Sequence, residues 1–191
     1  MRSPLVLALA LVTACLLASC TRQAIPDTAA PSVVEDFTKG YKLQSGDKVR
    51  ITVFNETNLS GEFQVDTGGN ISLPLIGTVP ARDANRKELE SRVGDVLVRS
   101  GYMRDPKISV EIITYRPIYV LGEVKQAGEF PYTVGMTVLS AIARAGGYDY
   151  RAKEGTVILS RDINGERTDY KADERTPILP GDIIRVAERI F

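Results

Sequence analysis

Asp66-Thr67-Gly68 is a short run whose types and order could do chemistry. Two such aspartates, brought together, share one proton and activate water for hydrolysis. The chain holds a single copy, so that chemistry would require a dimer. The apolar pair followed by Gly-Arg that such a dimer also needs is not supplied by Leu121-Gly122-Glu123. Gly68 and Gly69 after the Thr suit a turn better. The absence of His from 191 residues removes the commonest general base, the Ser-His-Asp and Cys-His nucleophile systems and every His-ligated metal site. With 24 Lys plus Arg against 24 Asp plus Glu the net charge is zero, which argues against a nucleic-acid partner. No Trp and 7% aromatic residues leave little for base stacking or a broad sugar platform. No catalytic, cofactor-binding or metal-ligating residue emerges.

The remaining chemistry is that of two thiols, Cys15 and Cys20. Met1-Arg2-Ser3 is a positive start, and residues 5–17 are almost wholly apolar. A membrane-spanning helix needs about twenty residues, so this run has the length of a secretory signal instead. It closes in Leu17-Ala18-Ser19-Cys20, which resembles the bacterial lipoprotein box. There, cleavage leaves Cys as the new N-terminus, diacylated on sulfur and acylated on nitrogen. Val12-Thr13-Ala14-Cys15 is a looser match with a shorter apolar run before it, and an ordinary signal peptide with an incidental Cys is the bland alternative. Thr21 stands where the inner-membrane retention signal of enterobacteria would have Asp, so the resemblance implies the outer membrane, facing the periplasm. The expectation is a signal peptide over residues 1–19, lipidation at Cys20 and a tether over 20–40 that contains Ala24-Ile25-Pro26 and Ala29-Ala30-Pro31. A chain cleaved and lipidated there keeps no free thiol for a disulfide, metal or nucleophile. Its three acyl chains exceed the two signals that stable anchoring takes.

The elements that follow are predicted from periodicity. Val49, Ile51 and Val53 alternate with Lys48, Arg50 and Thr52, a half-buried strand over 48–54. Strands at 62–65 and 70–73 flank the Asp66–Gly69 turn as a hairpin, and a further one covers 74–79. Asn85 and Glu88 form a capping box for a helix with an apolar stripe of Leu89, Val93, Val96 and Leu97, ended by Gly101. Ile108, Val110 and Ile112 alternate in a strand over 106–115, where the first domain, 41–115, closes. The second, 116–191, reads as strand, turn, strand, helix from Thr137, a hairpin across Asn164-Gly165 and a last strand over 183–187. That is the element order of a β-grasp. The fold class is α+β, a β-rich domain with one helix followed by a β-grasp-like domain. Leu43-x-x-Gly46-Asp47-x-Val49 recurs loosely as Leu179-Pro180-Gly181-Asp182-x-Ile184, an echo that turn chemistry alone explains.

Tyr41-x-Leu43-x-x-Gly46-Asp47-x-Val49-x-Ile51-x-Val53-Phe54, Leu59-Ser60-Gly61-Glu62-Phe63-x-Val65-Asp66 and Gly69-x-Ile71-x-Leu73-Pro74-Leu75-Ile76-Gly77 together resemble the polysaccharide biosynthesis/export domain of outer-membrane polysaccharide export proteins. Val120-x-Gly122-x-Val124-x-x-x-Gly128-x-Phe130 and the helix Thr137-Val138-Leu139-x-Ala141-Ile142-x-x-Ala145-Gly146-Gly147 resemble the SLBB (soluble-ligand-binding β-grasp) domain that follows it. Ala81-Arg82-Asp83-Ala84-Asn85 departs from the family's usual Gly before the helix and leaves that loop's geometry open. The resemblance implies a non-enzymatic, cofactor-free subunit of a ring-shaped homo-oligomer through which capsular or exopolysaccharide passes. It further implies an inner-membrane polysaccharide co-polymerase, often coupled to a tyrosine autokinase, as partner. Long family members end in a membrane-perforating helix that has no counterpart after residue 187, so a separate outer-membrane β-barrel is expected to form the exit. Lys48, Arg50 and Thr52 either line a passage or meet solvent. The competing readings are a monomeric periplasmic carbohydrate-binding lipoprotein and, further off, an aspartic-type protease through Asp66.

Overall fold

The computed structural model describes residues 40–163 and 165–189. Cys15, Cys20 and the expected signal peptide and tether, apart from Gly40, lie outside the described residues, as does Asn164. Within them the fold is α+β, with two α-helices and ten strands.

Alternation makes β1, Lys48–Val53, a strand with Val49, Ile51 and Val53 buried and the intervening side chains exposed. It is the middle of a three-stranded antiparallel sheet, between β2 (Gly61–Gln64) and β5 (Ile108–Thr114). On its exposed face Arg50 pairs with Glu62 of β2 and lies near Glu111 of β5, so this face is laced across the strands. β3 (Asn70–Leu73) and β4 (Gly77–Pro80) form a separate hairpin. Helix α1, Arg86–Arg99, starts at the expected capping box: Asn85 Oδ1 accepts the Glu88 N–H at 3.0 Å and the Glu88 carboxylate accepts the Asn85 N–H at 2.9 Å. Leu89, Val93 and Leu97 are buried, with Val96 half-buried at the edge of the stripe. Glu90 accepts the Val110 N–H of edge strand β5 at 2.9 Å, which occupies a donor that would otherwise be open to strand pairing.

Two expectations shift. The 62–65 and 70–73 segments do not pair with each other as a hairpin, because β2 belongs to β1 and β3 to β4. The chain between them is held instead by the 81–82 backbone, whose two N–H groups both donate to the Gly69 carbonyl. The strand over 74–79 begins only at Gly77, since 74–76 form a tight turn. The 81–84 loop closes without glycine: Asp83 takes φ 58° and its N–H bonds the Leu43 carbonyl, while the Leu43 N–H bonds the Ala84 carbonyl.

The second sheet runs β7 (Gly128–Phe130), β6 (Ile118–Gly122), β10 (Ile183–Val186), β8 (Thr156–Ile163), β9 (Glu166–Asp173). The last strand enters the middle, parallel to β6 and antiparallel to β8, as a β-grasp requires. α2, Val138–Arg144, is capped by Thr137 with Ser140 as its reciprocal partner and buries Val138, Ala141 and Ile142 against that sheet.

The two cores meet at a corner. The Tyr115 ring packs on both, edge-on to Tyr41 at 5.0 Å and to Tyr132 at 5.5 Å. Asp47, fully buried, accepts from the Tyr41 hydroxyl (2.7 Å) and from the Gln44 (2.8 Å) and Arg116 (2.9 Å) N–H groups. Burial pushes its pKa up, and these donors pull it back. Asp182, also buried, accepts the Leu179 N–H at 2.7 Å and is gripped by Arg161, Nη2 to Oδ2 at 2.7 Å. The echo in the sequence is thus one construction used twice: an aspartate that ties the N–H three residues back and opens the central strand of a sheet.

Candidate functional site

Asp66 holds its own turn. Its Oδ1 accepts the Asn70 N–H at 2.8 Å, and the Thr67 carbonyl accepts from Arg82 Nη2 at 2.8 Å. A Cβ on Gly69 would lie 2.6 Å from the Arg82 Cβ, so the second glycine exists to let Arg82 lie across the turn. The triplet is turn chemistry. Among the described residues no three His, Cys, Asp or Glu come together as metal ligands, and every fully buried side-chain polar atom has a partner.

What the first unit presents outward is apolar, carried on unusual backbone. The Ile76 N–H bonds the Pro74 carbonyl at 2.8 Å, closing a three-residue turn around Leu75 at φ 67°. A turn of that sign is rare and strained, and a leucine has no side-chain group to offset the strain, which costs about 1–3 kcal/mol. The surroundings enforce it. Pro74 has its φ fixed, Leu73 pairs with Gly77, Gly77 takes φ 81°, and Ile76 packs on the core. The outcome is a leucine with 71% of its surface in water.

Phe54 follows the same pattern. The Glu56 N–H bonds the Val53 carbonyl with Asn55 at φ 63°, and Phe54 at that turn is 65% exposed. Asparagine tolerates this conformation, so only Leu75 is left strained. Each turn follows the end of a strand: Phe54 comes directly after β1, which starts just past Asp47, and Pro74 directly after β3, which starts just past the Gly69 that 81–82 clasp. The α1-to-β5 connection, whose Lys107 carbonyl accepts the Phe54 N–H, carries exposed Tyr102. Phe54, Leu75 and Tyr102 are thus large apolar side chains left in solvent. Reading Phe54 as strand and 74–76 as strand hid the two turns that carry the first two. The positive-φ signal at Leu75 has no trace in residue type, whereas Phe54-Asn55 could have been read as a turn.

Residues 35–113 match the family model described as polysaccharide biosynthesis/export protein, and residues 117–170 match the SLBB domain, in that order. The chain belongs to the polysaccharide export family. It is 35% identical over 118 residues to the exopolysaccharide production protein ExoF of Rhizobium meliloti (strain 1021), covering 56% of this chain and 28% of that protein. It is 27% identical over 115 residues to the polysialic acid transport protein KpsD of Escherichia coli, covering 59% of this chain and 20% of that one. The chain therefore spans well under a third of these relatives' length. By name, the first serves exopolysaccharide production and the second polysialic acid transport. Among the described residues no helix is long and apolar enough to cross a membrane.

Proposed function

We propose that this export-family protein is a lipid-anchored subunit of a periplasmic ring that guides capsular or exopolysaccharide toward an outer-membrane exit. The observation that carries this is the pairing of an export domain with an SLBB domain in family order; the apolar run closing in Leu17-Ala18-Ser19-Cys20 supports the anchor. Lipid on Cys20 holds the protein at the outer membrane. The apolar tips of the first unit, Leu75 and Phe54, serve as contacts within the conduit, where burial repays their exposure. Cargo is the polymer itself, handed on from an inner-membrane co-polymerase with its tyrosine autokinase. A separate β-barrel forms the exit. Domain bounds of 41–115 and 116–191 go with this reading.

The test is the mass of the detergent-solubilised lipoprotein by light scattering, together with surface polymer in a deletion strain. The expected result is a closed oligomer and loss of surface polymer. A monomer at micromolar concentration that saturates with a short oligosaccharide would instead make it a solitary sugar binder.

A further inference from the structure

The proposed function does not account for the repeated Gly-Asp turn, yet both copies converge on Arg116. From the first copy, Asp47 Oδ1 accepts the main-chain N–H of Arg116 at 2.9 Å. From the second, the Pro180 carbonyl accepts Arg116 Nε–H at 3.0 Å. Both turn glycines have their bare side toward this residue. A Cβ on Gly46 would stand 3.8 Å from the Arg116 Cβ, and one on Gly181 would stand 2.8 Å from its Nε. Both have positive φ, 98° and 83°, so an L side chain is disfavoured at each by backbone and, at Gly181, by space as well.

We propose that Arg116 is a pin seated in two matched sockets, one in each unit, which makes the chain a single rigid body. The connection between the cores is short, and each of its residues is tied. Tyr115 is wedged edge-on between Tyr41 and Tyr132. Arg116 donates forward and back, to turns at the heads of β10 and β1. The Pro117 carbonyl accepts the Gly181 N–H at 3.0 Å, and its ring fixes φ. Tyr115, Arg116 and Pro117 thus each hold a contact that resists rotation of this connection. Two units joined through a small polar contact ordinarily move relative to each other. A pin with one directional bond into each unit, flanked by packed rings, removes that freedom. Asp47, at the head of central strand β1, bonds the pin itself, and the turn that Asp182 closes at the head of central strand β10 bonds it through Pro180, so load on either sheet reaches the pin.

The test is unfolding of the full chain by calorimetry, with native-state hydrogen exchange of Ile51 for the first core and Leu159 for the second. In the wild type one transition is expected, and the two amides should open with the same free energy. Arg116→Met keeps the apolar stem and removes the Nε–H donor; Gly181→Ala displaces the guanidinium. In each, the transition should split and exchange of the two amides should diverge on the order of tenfold. A single unchanged transition in either folded variant would overturn the proposal. If neither variant folds, the wild type decides, because two transitions there, or amides that already open independently, also overturn it. The outcome is independent of ring formation, which light scattering reports separately.

Discussion

Leu75 sits where asparagine or glycine would be comfortable and where solvent offers a leucine nothing. A residue retained against its own conformational preference points to a role outside the fold. Leu75→Asn should therefore leave stability unchanged or raise it by up to about 1 kcal/mol in urea unfolding, while surface polymer falls. A loss of stability larger than that would return Leu75 to a structural role. Tyr132 gives a second test. Burial pushes its hydroxyl from 10.0 up to about 12. The unfolded chain ionises first, so the stabilisation is intact below pH 10 and is lost as pH rises toward 12. The wild type should lose stability over that window faster than Tyr132→Phe, by at most about 1.4 kcal/mol per pH unit. Parallel curves would mean the ring is not protected from water.

Among the elements, the parallel junction of β6 and β10 is the least forgiving. A Cβ on Gly122 would lie 2.0 Å from the Val186 carbonyl oxygen, and the residue takes φ 87°. Gly122→Ala should abolish tertiary near-ultraviolet signal from the second unit. Gly128→Ala, with nothing within 4 Å of its Cβ, should change stability by less than about 1 kcal/mol. The periodic elements were legible beforehand. The alternation of β1, the Asn85–Glu88 box with Leu89, Val93 and Leu97, and the Thr137 cap all follow from local spacing. What was not legible depends on partners distant in sequence. The partner of β2 is β1 rather than β3 because Arg82, from beyond β4, claims the intervening turn. Arg161 continues the inward alternation of Val157 and Leu159 as a charge, a break that makes sense only once Asp182 is beside it. Arg116 carries no local signature at all. The echo around Gly46-Asp47 and Gly181-Asp182 was visible, but what the two turns share was not.

For the molecule as a whole, the proposed location rests on one atom, the sulfur of Cys20. Cys20→Ser should block acylation and processing, and the chain should leave the outer-membrane fraction unmatured; Cys15→Ser should change nothing. Mature Cys20→Ser protein still at the outer membrane would dismiss the anchor. The strand order has a further consequence, for biogenesis. The first unit has every strand of its sheet once β5 is made. The second lacks its middle strand until β10 arrives, so until then the β6–β7 and β8–β9 hairpins each present an open edge. A chain made N-terminus first would expose those edges until β10 follows, inviting mispairing between neighbouring nascent chains. The charges along β9, from Glu166 and Arg167 to Lys171 and Asp173, guard the other edge of the β8–β9 hairpin, which stays open in the finished sheet as well.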